Sequence, residues 1–407
     1  MSLWTIERLG RKGDGVAVSE AGRALAPLVL PGEVIEGEAA DGRVPAPRIV
    51  TPSPDRVQAP CPHYRACGGC TLMHASESFT AGWKRQVVMT ALAAQGVAAP
   101  EARLHVSPLN SRRRAVLSGR RTKKGALLGF HARASDVVID VTACLVLRPQ
   151  ILAALPLLRR VVIAGASRSA ELSLTVIHGP SGLDVAVRGG KPMTPDLFAA
   201  LAALADEGDL ARLDWDGEAI TRRPPLLPMG RARLIPPPGA FLQATSEGEA
   251  ALLAAVREGT RGAGRVLDLF AGAGTFTLPL AETSAVHAVE GLAAPLRALD
   301  SAWRQTGGLQ QVTTEVRDLS ARPLLPPELN DYDAIVIDPP RSGAAAQMAE
   351  IARSAAHRVV SIACDPVTFS RDARILADAG FGIARLEVVD QFRFSPHVEV
   401  VAAFIRR

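Results

Sequence analysis

Residues Val266 to Leu280 read VLDLFAGAGTFTLPL. Val266, Leu267 and Leu269 form an apolar β-type run that breaks at Ala271-Gly272-Ala273-Gly274, after which Phe276 and Leu280 fall into helical spacing. The order is strand, glycine turn, helix. Glycines at such a turn let a ligand approach the backbone, and a helix start offers it free N–H groups. Taken alone, the pattern suits an ordinary tight βα turn equally well. The segments that follow favour a ligand site. Val286 to Glu290 (VHAVE) is a second apolar run, closed by an acid about twenty residues past the glycines, where nucleotide folds place a ribose-binding carboxylate. Val316-Arg317-Asp318 and Tyr332 to Arg341 (YDAIVIDPPR) repeat the pattern of a strand with a polar end. In open α/β sheets ligands sit at the carboxyl ends of strands, so Asp268, Glu290, Asp318 and Asp338 are expected to converge on one crevice, although each singly would also suit a helix N-cap.

Composition bounds the rest. With 407 residues, 48% of them hydrophobic, the chain can bury a large core and is expected to hold two or three domains. A formal net charge of +5 is compatible with a polyanionic partner. The opening MSLWTIERLGRKGDG has no signal-peptide core and no apolar run reaches bilayer length, so the expectation is a cytoplasmic protein with no membrane contact.

Residues 1–55 alternate short apolar runs with Gly and Pro turns, the pattern of a small β-barrel, and Thr51-Pro52-Ser53-Pro54 reads as a linker. Five cysteines follow a different logic. Cys61, Cys67 and Cys70 lie in CPHYRACGGC, a C-x5-C-x2-C loop expected to hold a metal or cluster with Cys144 as fourth ligand. Spacing leaves zinc and iron open, with His63 and His74 as competing zinc ligands. Glu77 to Ala94 has the periodicity of an amphipathic helix. Ser111 to Lys124 is an Arg-rich hairpin suited to a phosphate backbone or to a solvated sheet edge. Prolines at 224–225 and 236–238 mark a hinge, after which Phe241 could stack on a base and Gln243 could hydrogen-bond a base edge or cofactor. Near the C-terminus HRVVSIAC ends a buried-type strand at Cys364, with Asp365-Pro366 as N-cap and first helical residue. His397 and Glu399 then stand two apart on a strand pattern, either of them a candidate base.

These motifs together resemble the RNA (uracil-5-)-methyltransferase family of class I S-adenosylmethionine-dependent enzymes, in the branch with a TRAM domain and a [4Fe-4S] cluster and closest to its 23S ribosomal RNA members. The resemblance implies a TRAM OB-like barrel at 1–55, a central α+β domain with the iron–sulfur site and basic hairpin at 56–235, and a Rossmann-like α/β methyltransferase domain at 236–407. It implies cofactor contacts from Gln243, Phe270, Gly272, Gly274, Thr275, Glu290, Asp318 and Asp338, substrate contacts from Phe241, Gln243 and Arg341, and a cluster on Cys61, Cys67, Cys70 and Cys144. Cys364 matches the nucleophile and Glu399 the base. The implied reaction adds the thiolate to C6 of uracil, making C5 nucleophilic towards the methyl sulfonium, and then removes the C5 proton. The target uridine is expected to be single-stranded or flipped out and the enzyme a monomer. Two departures stand out: ACDP replaces the usual SCNP around the nucleophile, and Phe392-Arg393-Phe394-Ser395 replaces part of the usual FPHT approach to His397. The competing readings are a transfer RNA uracil-5-methyltransferase and a non-catalytic RNA-binding or redox-sensing iron–sulfur protein. Methylation of cytosine C5 or an exocyclic amine is disfavoured by Arg341 after Asp338-Pro339-Pro340 and by the lack of a second cysteine there.

Overall fold

The computed structural model describes residues 2–406. In strand Ser2–Leu9 only Trp4, Ile6 and Leu9 turn inward. That alternation buries one face of an antiparallel sheet, in which Ser2–Leu9 lies between Gly15–Ser19 and Val34–Gly37, with Gly22–Ala26 and Arg48–Thr51 outside them. The expected TRAM barrel is corrected here. The two outer strands do not pair with each other among the described residues, so the sheet stays open. Arg48–Thr51 is only four residues long and largely exposed, leaving little apolar surface to draw the edges together. The Gly22–Ala26 edge is covered instead by a loop, through bonds from Leu25 N–H to Gly42 O (2.9 Å) and Val44 N–H to Leu25 O (2.8 Å). The segment following the proline linker is tied down by Glu33, which is fully buried, accepts from Leu30 N–H (2.8 Å) and Ser53 N–H (3.2 Å), and pairs with Arg56 at 2.7 Å.

The central sheet has seven strands in the order Glu218–Thr221, Arg212–Trp215, Gly182–Arg188, Glu171–Gly179, Arg114–Arg121, Ala126–His131 and Val138–Asp140. Helices Leu155–Gly165 and Pro195–Glu207 cover it, with Leu158, Val162, Leu174, Val185, Leu201 and Trp215 in the shared core. The Arg-rich run is less free than its charge suggested. Arg113 is only 5% exposed, pairs with Glu249 at 2.5 Å and donates to Gln243 O (3.2 Å), which joins this sheet to the C-terminal one.

The third sheet has eight strands: Val312–Val316, Ala285–Glu290, Arg265–Leu269, Ala334–Ile337, Arg358–Ala363, Glu399–Arg406, Phe381–Asp390 and Arg103–Val106. The first five run parallel and read as near-continuous apolar runs because helices cover both faces. This Rossmann-like layer completes an α/β fold made of an N-terminal sheet, a central mixed sheet and a C-terminal sheet. Its edge strand Arg103–Val106 comes from far upstream, as does helix Glu77–Ala94, whose Val88 and Leu92 enter the same core as Phe369, Leu376 and Val388. Lys84 lies on that buried helix face, 0% exposed, donating to Asp390 at 2.5 Å and to Phe392 O at 3.2 Å. Removing one partner of a buried pair leaves the other charge without compensation, so Lys84→Met should lower unfolding stability by about 3–5 kcal/mol in denaturant titration. A loss under about 1 kcal/mol would mean that the pair is dispensable.

Candidate active site

The five parallel strands end side by side, and each is followed by a residue the sequence singled out. Val316 leads to Asp318, Ala285–Glu290 ends in Glu290, Leu269 leads into the glycine turn, Ile337 precedes Asp338, and Ala363 precedes Cys364. Glu399 reaches the same edge from the opposite direction, because its strand is antiparallel and Val400 pairs with Ala363. Cys364, Glu399, Asp338 and Arg341 therefore share one corner.

The glycine turn is tighter than the pattern suggested. Its helix spans only Thr277–Leu280, and no longer N-terminus is available to cradle a ligand. The turn is held by side chains instead: Gly272 N–H donates to Glu290 Oε2 (3.0 Å), whose Oε1 accepts from Leu292 N–H (3.0 Å). Phe270, half-buried, stands at φ 61°, a left-handed conformation that a non-glycine residue keeps only when its surroundings enforce it. The two glycines differ in purpose. A Cβ at Gly272 (φ 56°) would meet nothing within 4 Å, so its backbone faces open space, whereas a Cβ at Gly274 (φ 93°) would lie 2.9 Å from Leu299. Gly272 leaves room for a ligand, and Gly274 lets helix Ala293–Arg304 pack. Thr275 is half-buried beside them.

The acids do converge, with one exception in character. Asp268 is fully buried, accepts from Thr277 Oγ1 at 2.5 Å through Oδ2, and leaves Oδ1 without a partner. Burial, reinforced by Asp338 and Glu290, pushes its carboxyl up to about 7, and burial likewise pushes Asp338 to about 7. Asp318 instead is exposed and caps its own turn, accepting from Ser320 N–H (2.9 Å). An orphaned buried carboxylate oxygen and neighbouring acids lacking a countercharge, beside the open backbone at Gly272, fit a cationic ligand such as S-adenosylmethionine.

At the corner shared with Glu399, Cys364 is half-buried just past the end of strand Arg358–Ala363. Burial and the Glu399 carboxylate push its thiol up to about 11, while the nearby Arg341 guanidinium pulls the other way. Asp365 caps helix Pro366–Asp378 through Val367 N–H (2.8 Å), and its other oxygen faces Arg11 at 3.5 Å. The carboxylate in place of the usual asparagine is thus occupied by cap and cation. Glu399 is 5% exposed, and burial with Asp338 nearby pushes it up to about 8, against the pull of Gln391 and Arg341. His397 precedes the strand rather than lying on it, so the two-residue spacing does not place it on the face of Glu399. It lines an open groove together with Cys364, Phe79 and Trp83.

Gln391 was missed in the sequence. It donates to Gln243 Oε1 at 2.5 Å, accepts from Ala244 N–H at 2.8 Å and lies beside Glu399, so the buried Gln243 amide is linked to Glu399 through it. Phe241, by contrast, is 70% exposed, with Arg114 over its ring at 6.0 Å. The altered loop ahead of His397 is anchored by Arg393 to Glu77 and by Phe394 O, which accepts from Thr71 and Leu72 N–H at 2.7 and 2.9 Å.

The cysteine loop requires correction. Cys61, Cys67, Cys70 and Cys144 surround one cavity of about 50 Å³. Yet among the described residues no three His, Cys, Asp or Glu side chains form a group able to hold a metal ion, so the expected [4Fe-4S] site is not present. Burial raises the Cys67, Cys70 and Cys144 thiols, Cys70 to about 12, and they pack as small neutral groups. His63 bonds Thr142 Oγ1 (3.0 Å) and His74 bonds the Tyr64 hydroxyl (2.6 Å), which also removes the zinc alternative. Among the described residues no helix is long and apolar enough to cross a membrane.

Comparison with known proteins fits this geometry. A family profile described as tRNA (Uracil-5-)-methyltransferase matches residues 308–407. The chain is 43% identical to an RNA methyltransferase of Brucella suis over 99% of its own length and 97% of the relative's. It is 31% identical to the 23S rRNA (uracil(1939)-C(5))-methyltransferase of Pectobacterium atrosepticum, covering 98% and 93%. In fold it is similar to the tRNA (uracil-54, C5)-methyltransferase of Pyrococcus abyssi solved with S-adenosyl-L-homocysteine, with a TM-score of 0.77, 21% identity and 99% of both chains covered.

Proposed function

The chain belongs to the RNA (uracil-5-)-methyltransferase family, and from that premise we propose how its residues perform the reaction and on which RNA. The enzyme uses S-adenosylmethionine to methylate C5 of a uridine in RNA. The observation that carries the residue assignment is the meeting of Cys364 and Glu399 on neighbouring antiparallel strands, with Asp338 and Arg341 beside them.

Asp268, Asp338 and Glu290 hold the cofactor, whose contribution when bound is an electrophilic methyl. The positive charge of Arg341 favours the Cys364 thiolate, which adds to C6 of the uracil and moves electron density onto C5. After C5 has taken the methyl it carries both methyl and hydrogen. Glu399 removes that proton, and elimination expels the Cys364 thiolate as the C5–C6 double bond returns. With its carboxyl near 8, Glu399 is largely protonated at neutral pH, which eases its repulsion of the thiolate. Once ionised it is a stronger base than an ordinary carboxylate. Phe241 and Gln243 flank the uracil, the first by its exposed ring and the second through the Gln391 amide pair.

The sign of one pH effect follows from the cofactor acids. Asp268 and Asp338 bind protons below about 7, and a cation favours their ionised forms. Cofactor affinity should therefore rise as pH increases from about 6 to 8 and level off above, with protons released on binding. Calorimetry in two buffers of different ionisation enthalpy reads this directly, and a pH-independent Kd with no proton release would refute it.

As RNA target we propose a transfer RNA. The expectation of 23S rRNA leaned on a cluster and a TRAM barrel, and the described residues form neither a metal-holding group nor a closed barrel. The family profile supports the transfer RNA reading, while the Pectobacterium relative supports 23S rRNA as the second. Mass mapping of 5-methyluridine in both RNA pools after gene deletion separates them. Loss of a transfer RNA mark supports the first, and loss of a 23S mark the second.

A further inference from the structure

Helix Glu77–Ala94 has two faces. Lys84, Val88 and Leu92 enter the core, and the opposite side, with Phe79, Gly82, Trp83 and Val87, lines an open groove of about 870 Å³. The spacing of three and four residues puts Phe79 and Trp83 one turn apart, both half-buried, with nothing within 4 Å of a Cβ at Gly82 between them. The same groove is lined by Arg8 at the end of strand Ser2–Leu9, by Arg11 and Lys12 in the turn after it, and by Cys364 and Arg341. Four cations face it against two carboxylates, Glu7 and Asp365, and Asp365 is already opposite Arg11. Aromatic rings and cations lining one open groove are what single-stranded nucleic acid fits: bases stack on the rings and phosphates lie along the cations.

We infer that the Phe79–Trp83 face stacks a base neighbouring the target uridine, while Arg8, Arg11 and Lys12 hold the connecting phosphates. The inference rests on the methyltransferase reading, because the groove opens onto Cys364 and a strand whose uracil reaches that thiol must continue past those rings. It makes Trp83 a specificity-determining residue that acts on RNA binding and not on the chemical step. It also gives the N-terminal sheet a role at the active site, since cations at the end of its first strand and in the turn after it line the groove.

The test uses the full-length enzyme and a short single-stranded RNA containing the target uridine, not yet methylated. Binding is read by fluorescence anisotropy of a dye attached to the RNA, which does not depend on Trp83 as fluorophore, and methyl transfer by turnover. Trp83→Ala should raise Kd and KM roughly 5- to 100-fold, the range of losing one base–aromatic stack, with kcat at saturating RNA changed less than about two-fold. Trp83→Phe should restore most of the affinity, which a merely folding-deficient variant would not do. An abasic site in place of the stacked neighbour should weaken binding to wild type and produce no further loss in Trp83→Ala. Unchanged affinity in Trp83→Ala, or additive losses from protein and RNA changes, would overturn the proposal. Failure of the methyltransferase reading would look different: no RNA would be methylated by wild type, while RNA binding that depends on Trp83 could still be measured.

Discussion

Cys364→Ala is expected to lose methyl transfer by at least about 10⁴-fold while still binding cofactor and RNA. The reason lies in the substrate. C5 of uracil becomes nucleophilic enough only after a nucleophile has added at C6, and no other cysteine lies near this corner. The remaining four surround the small cavity formed by the cysteine loop and Cys144. Cys364 is half-buried at a strand end, followed by a helix capped by Asp365 and not by the thiol, so truncation removes no cap and opens little core. Cofactor titration and RNA binding should therefore match wild type while 5-methyluridine disappears. Residual turnover above about one hundredth of wild type would exclude a covalent route through this residue.

Glu399→Gln should fail at a later step, and this makes it the more informative variant. Glutamine keeps the shape and can pair with Gln391, but cannot accept a proton from C5. Addition and methyl transfer should proceed, turnover should fall about 10²- to 10⁴-fold, and RNA should remain attached to the enzyme. Removing the carboxylate also removes the charge that helps push the Cys364 thiol up to about 11. Alkylation of Cys364 in the RNA-free variant should therefore begin at lower pH than in wild type. A variant that turns over freely, or that releases methylated RNA without delay, would place the base elsewhere.

Much of the site was legible because it follows from strand ends. Asp268, Glu290, Asp338 and Cys364 each terminate or follow an apolar run, and a parallel sheet brings such ends together whatever the connecting helices do. Glu399 was legible for a different reason: an acid in VEVVAAF had to be paired or functional. What stayed hidden depended on tertiary neighbours. Gln391 has no motif of its own, and its importance comes from Gln243 across the interface. The strand Arg103–Val106 joins a sheet whose other members begin more than 150 residues later, and no local pattern encodes that pairing. Lys84 did carry a signal, a charge at the spacing of Val88 and Leu92, and it marked a buried ion pair. The cysteine loop misled because ligand spacing is a necessary condition only. CPHYRACGGC brings sulfurs around one cavity without forming a metal-holding group among the described residues. The small barrel misled for a similar reason. Turn-punctuated short strands define an antiparallel sheet, while closure depends on its outermost strands, and Arg48–Thr51 offers little to close with.

The most direct test of the covalent route is to incubate Glu399→Gln with S-adenosylmethionine and uridine-containing RNA, denature, digest, and weigh the protein–RNA adduct by mass spectrometry. The account predicts one cross-linked peptide, containing Cys364, with a nucleotide heavier than uridine by one methyl. An adduct on any other residue, or no adduct together with 5-methyluridine made by Cys364→Ala, would contradict it.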